Sequence, residues 1–161
     1  RLSLVGSEMC IRDSFDCYLL TRSIKTLSVR MKQHNENAIA VSNYLSDHPK
    51  IEKVFFPGND KRHKEIAEKQ MDGFGGMMSF VIDSDINGVK TFLKNLNLFT
   101  LAESLGGVES LIEHPAIMTH ASIDPSIREK LGISETLLRI SVGIEDVDDL
   151  IADLDQALSK I

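Results

Sequence analysis

Between residues 15 and 48 no glycine or proline interrupts the chain. Across this span Leu20, Ile24, Leu27, Met31, Ala38, Val41 and Leu45 recur at spacings of three, four or seven. That recurrence places them on one apolar stripe of an α-helix. Pro49 follows just past the end, where a helix tolerates it. Such a helix measures about 50 Å at roughly 1.5 Å per residue. The length predicts a spine joining two bodies rather than an element internal to one small domain.

Past Pro49 the period shortens and the segments alternate. IEKVFF (51–56) reads as a strand closed by the turn signal Pro57-Gly58. Residues 61–71 form a short polar-faced helix, and the DGFGG turn (72–76) leads into a buried strand, MMSFVI (77–82). Residues 86–96 are helical, with Val89, Phe92, Leu93 and Leu96 on one side. LFTLA (98–102) is a strand, SLGGVE (104–109) a glycine-bearing loop, and Ser110, Leu111 and Ile112 a brief strand. Residues 124–131 give a helical turn for which Gly132 is a C-cap. TLLRISV (136–142) is a strand, and 146–161 an amphipathic helix with acids in its first turn. The order predicts an α/β domain at 49–161, a small sheet covered by helices, after a connecting helix at 15–48.

The 161 residues carry a formal charge of −6 and no dense Lys/Arg cluster, which argues against a nucleic-acid partner. No apolar run approaches the roughly 20 residues of a membrane span. Cys10 and Cys17 have no metal-ligand neighbours and read as incidental thiols in a reducing cytoplasm.

Three groups of residues exceed the needs of packing. In LAESLGGVE (101–109), Gly106-Gly107 allows close backbone approach, and Ser104 sets a hydroxyl beside exposed amides. Such a loop can hold a carboxylate, although SxGG turns are commonly only turns. Arg139 lies in an apolar strand and points away from the face of Leu138 and Ile140. Its guanidinium requires an anion. From the strand alone an internal Asp or Glu is the stronger reading, and a bidentate clamp on a substrate carboxylate is the alternative. Finally, Glu113 precedes HPAIMTH (114–120). His114 and His120 stand at no standard metal spacing and read as solvated or hydrogen-bonded loop histidines.

Together these stretches resemble the C-terminal part of the cystathionine gamma-synthase and gamma-lyase family, the Cys/Met-metabolism enzymes that use pyridoxal phosphate. The resemblance rests on FDCYLLTRSIKTLSVRM (15–31), KVFFPG (53–58), FGGMMSF (74–80), LFTLAESLGGVESLIEHPAIMTHA (98–121) and GISETLLRISVGIEDVDDLIADLDQAL (132–158). It implies the small C-terminal domain of an aspartate-aminotransferase-like enzyme of PLP fold type I. It also implies a homotetramer at full length.

The resemblance assigns roles as well. Arg139 matches the arginine that binds the substrate α-carboxylate, Ser104 and the amide of Leu105 match the loop that assists it, and Thr119 matches a threonine supporting that site. Glu103 matches the acid of cystathionine-handling members. Methionine gamma-lyases and O-acylhomoserine sulfhydrylases, the alternative within the family, tend to carry an apolar or amide residue there. A non-catalytic binding module is the alternative of another class. Ser23 departs from the family's RGLKTL without functional consequence.

The family's Schiff-base lysine segment, SxTKYxxGHSD-like, and its phosphate-binding residues have no counterpart here, and the chain's lysines sit in polar helical contexts. No catalytic or cofactor-binding residue is therefore assigned, and the chain reads as a fragment, inactive alone. Residues 1–14 are a separate matter. SEMCIRDS (7–14) resembles the translation of a sequencing-adapter read, so this segment is expected to be non-native.

Overall fold

The computed structural model describes residues 14–59 and 61–161. The expectation for residues 1–14, and the reading of Cys10, fall outside them except for Ser14.

The long helical span is two helices, α1 (Ser14–Ile24) and α2 (Leu27–Asp47), broken at Lys25-Thr26. Hydroxyl bonds accompany the break. Thr21 and Ser23 bond back to the carbonyls of Cys17 (2.7 Å) and Leu19 (2.8 Å), a pattern that bends helices. The Ser23 carbonyl then accepts from the N–H of Thr26 and from Arg30 Nη2 at 3.0 Å, which tightens the turn. The apolar stripe keeps its phase across the break, so spacing alone gave no sign of it.

After α2 come β1 (Ile51–Phe55), α3 (Lys61–Gln70), β2 (Met77–Ile82), α4 (Ile86–Asn95), β3 (Thr100–Leu101), β4 (Leu111–Glu113), α5 (Pro125–Lys130), β5 (Leu137–Ser141) and α6 (Val147–Leu158). Every strand and helix predicted past Pro49 is present within a few residues of its expected bounds. The sheet order is β1-β2-β5-β4-β3, antiparallel except for the β3–β4 pair.

Register sorts the side chains. Met78 and Ile112 both pair with Ile140, and Phe80 pairs with Leu138, so these residues share one face. That face is buried under Ala38, Val41 and Leu45 of α2, Val89 and Phe92 of α4, and Leu150, Leu154 and Leu158 of α6. Phe80 and Phe92 meet edge-on, with centroids 6.3 Å apart. Truncating a buried phenylalanine of this kind typically costs about 3–5 kcal/mol. The next residues along each strand, Ser79, Arg139 and Glu113, line up across the opposite face.

Polar bonds fix the helices to the sheet. His34 Nδ1 lies 2.7 Å from the carbonyl of Val142, which only accepts, so that nitrogen carries the proton. Asn37 Nδ2 donates to the carbonyls of Gly143 (3.1 Å) and Glu145 (2.8 Å). Lys50, expected in a helix, instead precedes β1 and donates to the C-terminal carbonyls of Leu158 (2.9 Å) and Ile161. Lys53 is also not helical. It lies in β1, its ammonium 4.6 Å from the centre of the Phe55 ring. Gly132 takes φ +77° and closes α5 as expected of a C-cap. Among the described residues no helix is long and apolar enough to cross a membrane.

A candidate carboxylate site on the open face of the sheet

The site begins with strand alternation. Arg139 is flanked by Leu138 and Ile140, both fully buried on the core side, which sends its side chain to the other face. There it meets an ion-pair partner, Glu113, its register partner on β4. Glu113 is 1% exposed and Arg139 about a quarter exposed at the side chain. The guanidinium is thus anchored at one end and faces solvent elsewhere.

Glu113 divides its two oxygens. Oε2 pairs with Arg139 Nη2, and Oε1 accepts from the hydroxyl of Thr119. Thr119 Oγ1 lies 2.7 Å from His120 Nδ1. A hydroxyl has one proton, and the carboxylate takes it, so His120 Nδ1–H is the donor in that second bond. The result is a chain that converges on Glu113, whose carboxylate accepts from His120 by way of Thr119 on one side and from Arg139 on the other. Arg139 Nη2 also donates to the backbone carbonyl of Glu103 at 2.9 Å.

That last bond brings the 101–109 loop to the arginine. A second staple holds it there: the amide of Gly106, at φ +76°, donates to Ser141 Oγ at 2.8 Å. Further along, Ile144 N–H donates to the carbonyl of Val108 at 2.9 Å, and Gly143 lies so close that an added Cβ would meet that carbonyl oxygen. Ser110 and Glu145 complete the seam, with the Ser110 hydroxyl 2.9 Å from Glu145 Oε2.

The residues singled out from the sequence are therefore partly assembled. Arg139, Thr119 and the backbone of Glu103 are joined through Glu113. The Glu103 carboxylate, the Ser104 hydroxyl and the Leu105 side chain are exposed on the same loop, and Ser104 and Leu105 make no hydrogen bond among the described residues. Glu113 and Ser141 carried no assigned role in the sequence. The period-two pattern around each was the available signal, since both interrupt apolar strands on the face away from Ile112 and Ile140.

Of the two readings for His114, solvated or hydrogen-bonded, the structure has the second. His114 is fully buried, and its Nε2 lies 2.8 Å from the carbonyl of Glu135, while burial pushes the imidazole pKa down. Among the described residues no three His, Cys, Asp or Glu side chains are placed to share a metal ion.

The shallow hollow beside Arg139 is lined by Phe55, Met77, Met78 and Ser79. It offers a cation and a hydroxyl but no amine for a cofactor aldehyde. These residues suit a carboxylate and do not suit pyridoxal phosphate.

A five-stranded sheet packed against helices is the small-domain architecture of aspartate-aminotransferase-like enzymes. The crystal structure of cystathionine gamma synthase from Xanthomonas oryzae pv. oryzae, in complex with aminoacrylate and cysteine, matches it. The TM-score is 0.84 at 46% identity, over 91% of this chain and 38% of that one. The chain belongs to the Cys/Met metabolism PLP-dependent enzyme family, whose profile matches residues 5–159. The cofactor of that family is pyridoxal phosphate.

Cystathionine gamma-lyase of Dictyostelium discoideum is 55% identical over 159 residues, 98% of this chain and 41% of that protein. Cystathionine beta-lyase of Coxiella burnetii is 53% identical over 146 residues, 89% of this chain and 38% of that protein. The chain thus spans about two fifths of the length of the curated relatives it matches.

Proposed function

We propose that this chain is the substrate-recognition part of a longer pyridoxal-phosphate enzyme of transsulfuration. In this reading the enzyme eliminates or replaces the sulfur substituent of an amino acid such as cystathionine, in the cytoplasm, and the chain is inactive alone. The cofactor is held by parts of the protein other than the residues described. Phe15, Tyr18, Leu20 and Ile24 of α1 are each more than half exposed, and we place that helix against the remainder of a homotetramer.

The observation that carries the reading is the half-free guanidinium of Arg139. Glu113 and the Glu103 carbonyl engage Nη2 alone. Nε and Nη1 make no hydrogen bond among the described residues, so donors remain for an incoming carboxylate. The internal acid expected from the strand is present, and it leaves room for a substrate as well. Cystathionine occurs in the names of all three relatives above. Glu103, exposed beside the arginine, suits the ammonium of that molecule's second amino-acid group.

The test is Arg139→Lys in the full-length holoenzyme. Lysine keeps the charge and loses the planar fork, so KM should rise about tenfold, with kcat changed far less. An unchanged KM accompanied by lost folding stability would assign Arg139 to the internal ion pair alone.

A further inference from the structure

We infer that Glu113 is a positioning residue for Arg139, and that Thr119 acts on substrate binding only through Glu113. The inference rests on the carboxylate-site reading above and deepens it.

Arginine has four rotatable side-chain bonds, and a free one loses on the order of 1.5–2 kcal/mol of rotamer freedom when it is ordered. An arginine aligned before the substrate arrives avoids that loss at the moment of binding. Glu113 is built to supply the alignment. It sits directly opposite Arg139 in the β4–β5 register, so the pair spans one strand spacing with no loop between. Its neighbours Ile112 and His114 are 1% and 0% exposed, which leaves the β4 backbone little freedom. Its own carboxylate would rotate about its last bond, but the Thr119 hydroxyl fixes Oε1 and so aims Oε2 at the guanidinium.

Thr119 is itself exposed and makes no hydrogen bond to Arg139. Of the two hydrogen bonds of Thr119, to Glu113 and to His120, the first alone leads on to Arg139. The charge of Glu113 has a second consequence. A buried carboxylate at one end of the guanidinium leaves the pair near neutral, so a substrate carboxylate is held by geometry more than by net charge. That is the condition under which a lost alignment appears in KM.

The experiment compares Glu113→Gln, Thr119→Val, Thr119→Ser and Arg139→Lys in the full-length holoenzyme, reading KM and kcat separately and Tm in parallel. Glutamine keeps the shape of Glu113 and removes its charge. KM should rise about tenfold for Glu113→Gln and about threefold for Thr119→Val, with kcat within about twofold of the parent in both. Thr119→Ser retains the hydroxyl and should restore the parental KM.

If Arg139→Lys raises KM while Glu113→Gln and Thr119→Val leave it unchanged, the positioning role is wrong and the carboxylate site stands. If Arg139→Lys also leaves KM unchanged, both fail together. Should Glu113→Gln not fold, the exposed Thr119 pair decides alone: equal KM values for valine and serine overturn the proposal.

Discussion

Asp153 and Glu113 are both carboxylates sealed from water, 5% and 1% exposed, and they are held in opposite ways. Asp153 accepts from the backbone N–H groups of Asn97 (2.8 Å), Leu98 (2.8 Å) and Phe99 (3.2 Å), and from Gln156 Nε2 (3.2 Å). Glu113 is held by two side chains, Thr119 and Arg139. A carboxylate gripped by backbone fixes the path of the chain, here the turn between α4 and β3 against α6. A carboxylate gripped by side chains fixes only those side chains. The first serves the fold and the second serves the surface that the fold presents.

The sharpest way to break this contrast is Asp153→Ala. Several backbone donors would lose their acceptor in a buried site, and each buried orphan costs about 1–3 kcal/mol. A total loss of roughly 3 kcal/mol is expected in urea unfolding of the chain. In the full-length enzyme the same variant should leave KM for the amino acid at its parental value. A loss under about 1 kcal/mol, or a shifted KM, would erase the distinction between the two acids.

A third carboxylate extends the comparison. Glu103 is exposed, and its backbone rather than its side chain is tied to Arg139. Glu103→Val in the full-length enzyme should leave stability alone and change the ratio of kcat/KM for cystathionine over methionine by about tenfold, or 1.4 kcal/mol. On the proposed reading, the carboxylate would favour the distal ammonium of cystathionine and would be left unpaired beside the methylthio group of methionine. A ratio that moves less than about twofold would remove Glu103 as selector.

The smallest effect is one of pH. Burial pushes the Asp153 pKa up, and the backbone N–H groups of Leu98, Asn97 and Phe99 outweigh it, holding the group below its ordinary value of 3.8. A carboxyl depressed on folding contributes stability above its unfolded pKa and loses it as pH falls through the folded one. Chain stability should therefore decline below about pH 4, and Asp153→Asn should flatten that limb of the curve. An identical acid limb in the variant would show that other carboxylates govern it.

Much of this was legible in the sequence, and for identifiable reasons. IEKVFF was readable because Pro57-Gly58 closes it, and MMSFVI and TLLRISV because they are short apolar runs bounded by Gly76 and Asp83 and by Gly143. Arg139 stood out because a cation between Leu138 and Ile140 has one face to go to. Its partner was not legible. Glu113 meets Arg139 through the β4–β5 register, a pairing across a long connection that no local pattern encodes. The helix break was hidden for a related reason. Leu20, Ile24, Leu27 and Met31 continue the stripe, yet all are exposed, at 62%, 58%, 44% and 46%. Periodicity reports which side of a helix is apolar and is silent on what lies against it. From its glycines the Ser104 loop was read as one that can hold a carboxylate or is only a turn, and the resemblance gave it the carboxylate role. Gly106 directs its amide to Ser141, so that one of the loop's donors anchors the loop.

The grip of α2 on β5 has a mechanical consequence. His34 and Asn37 hold the carbonyls of Val142, Gly143 and Glu145, immediately beyond the strand that carries Arg139 and Ser141. The helix is about 30 Å long at roughly 1.5 Å per residue, and its N-terminal turns stand clear of the core, with Val29 72% exposed. It is a lever with its short arm welded to β5. Because the joint consists of hydrogen bonds to backbone, two of them buried, the orientation of α2 and the path of the chain leaving β5 are fixed together.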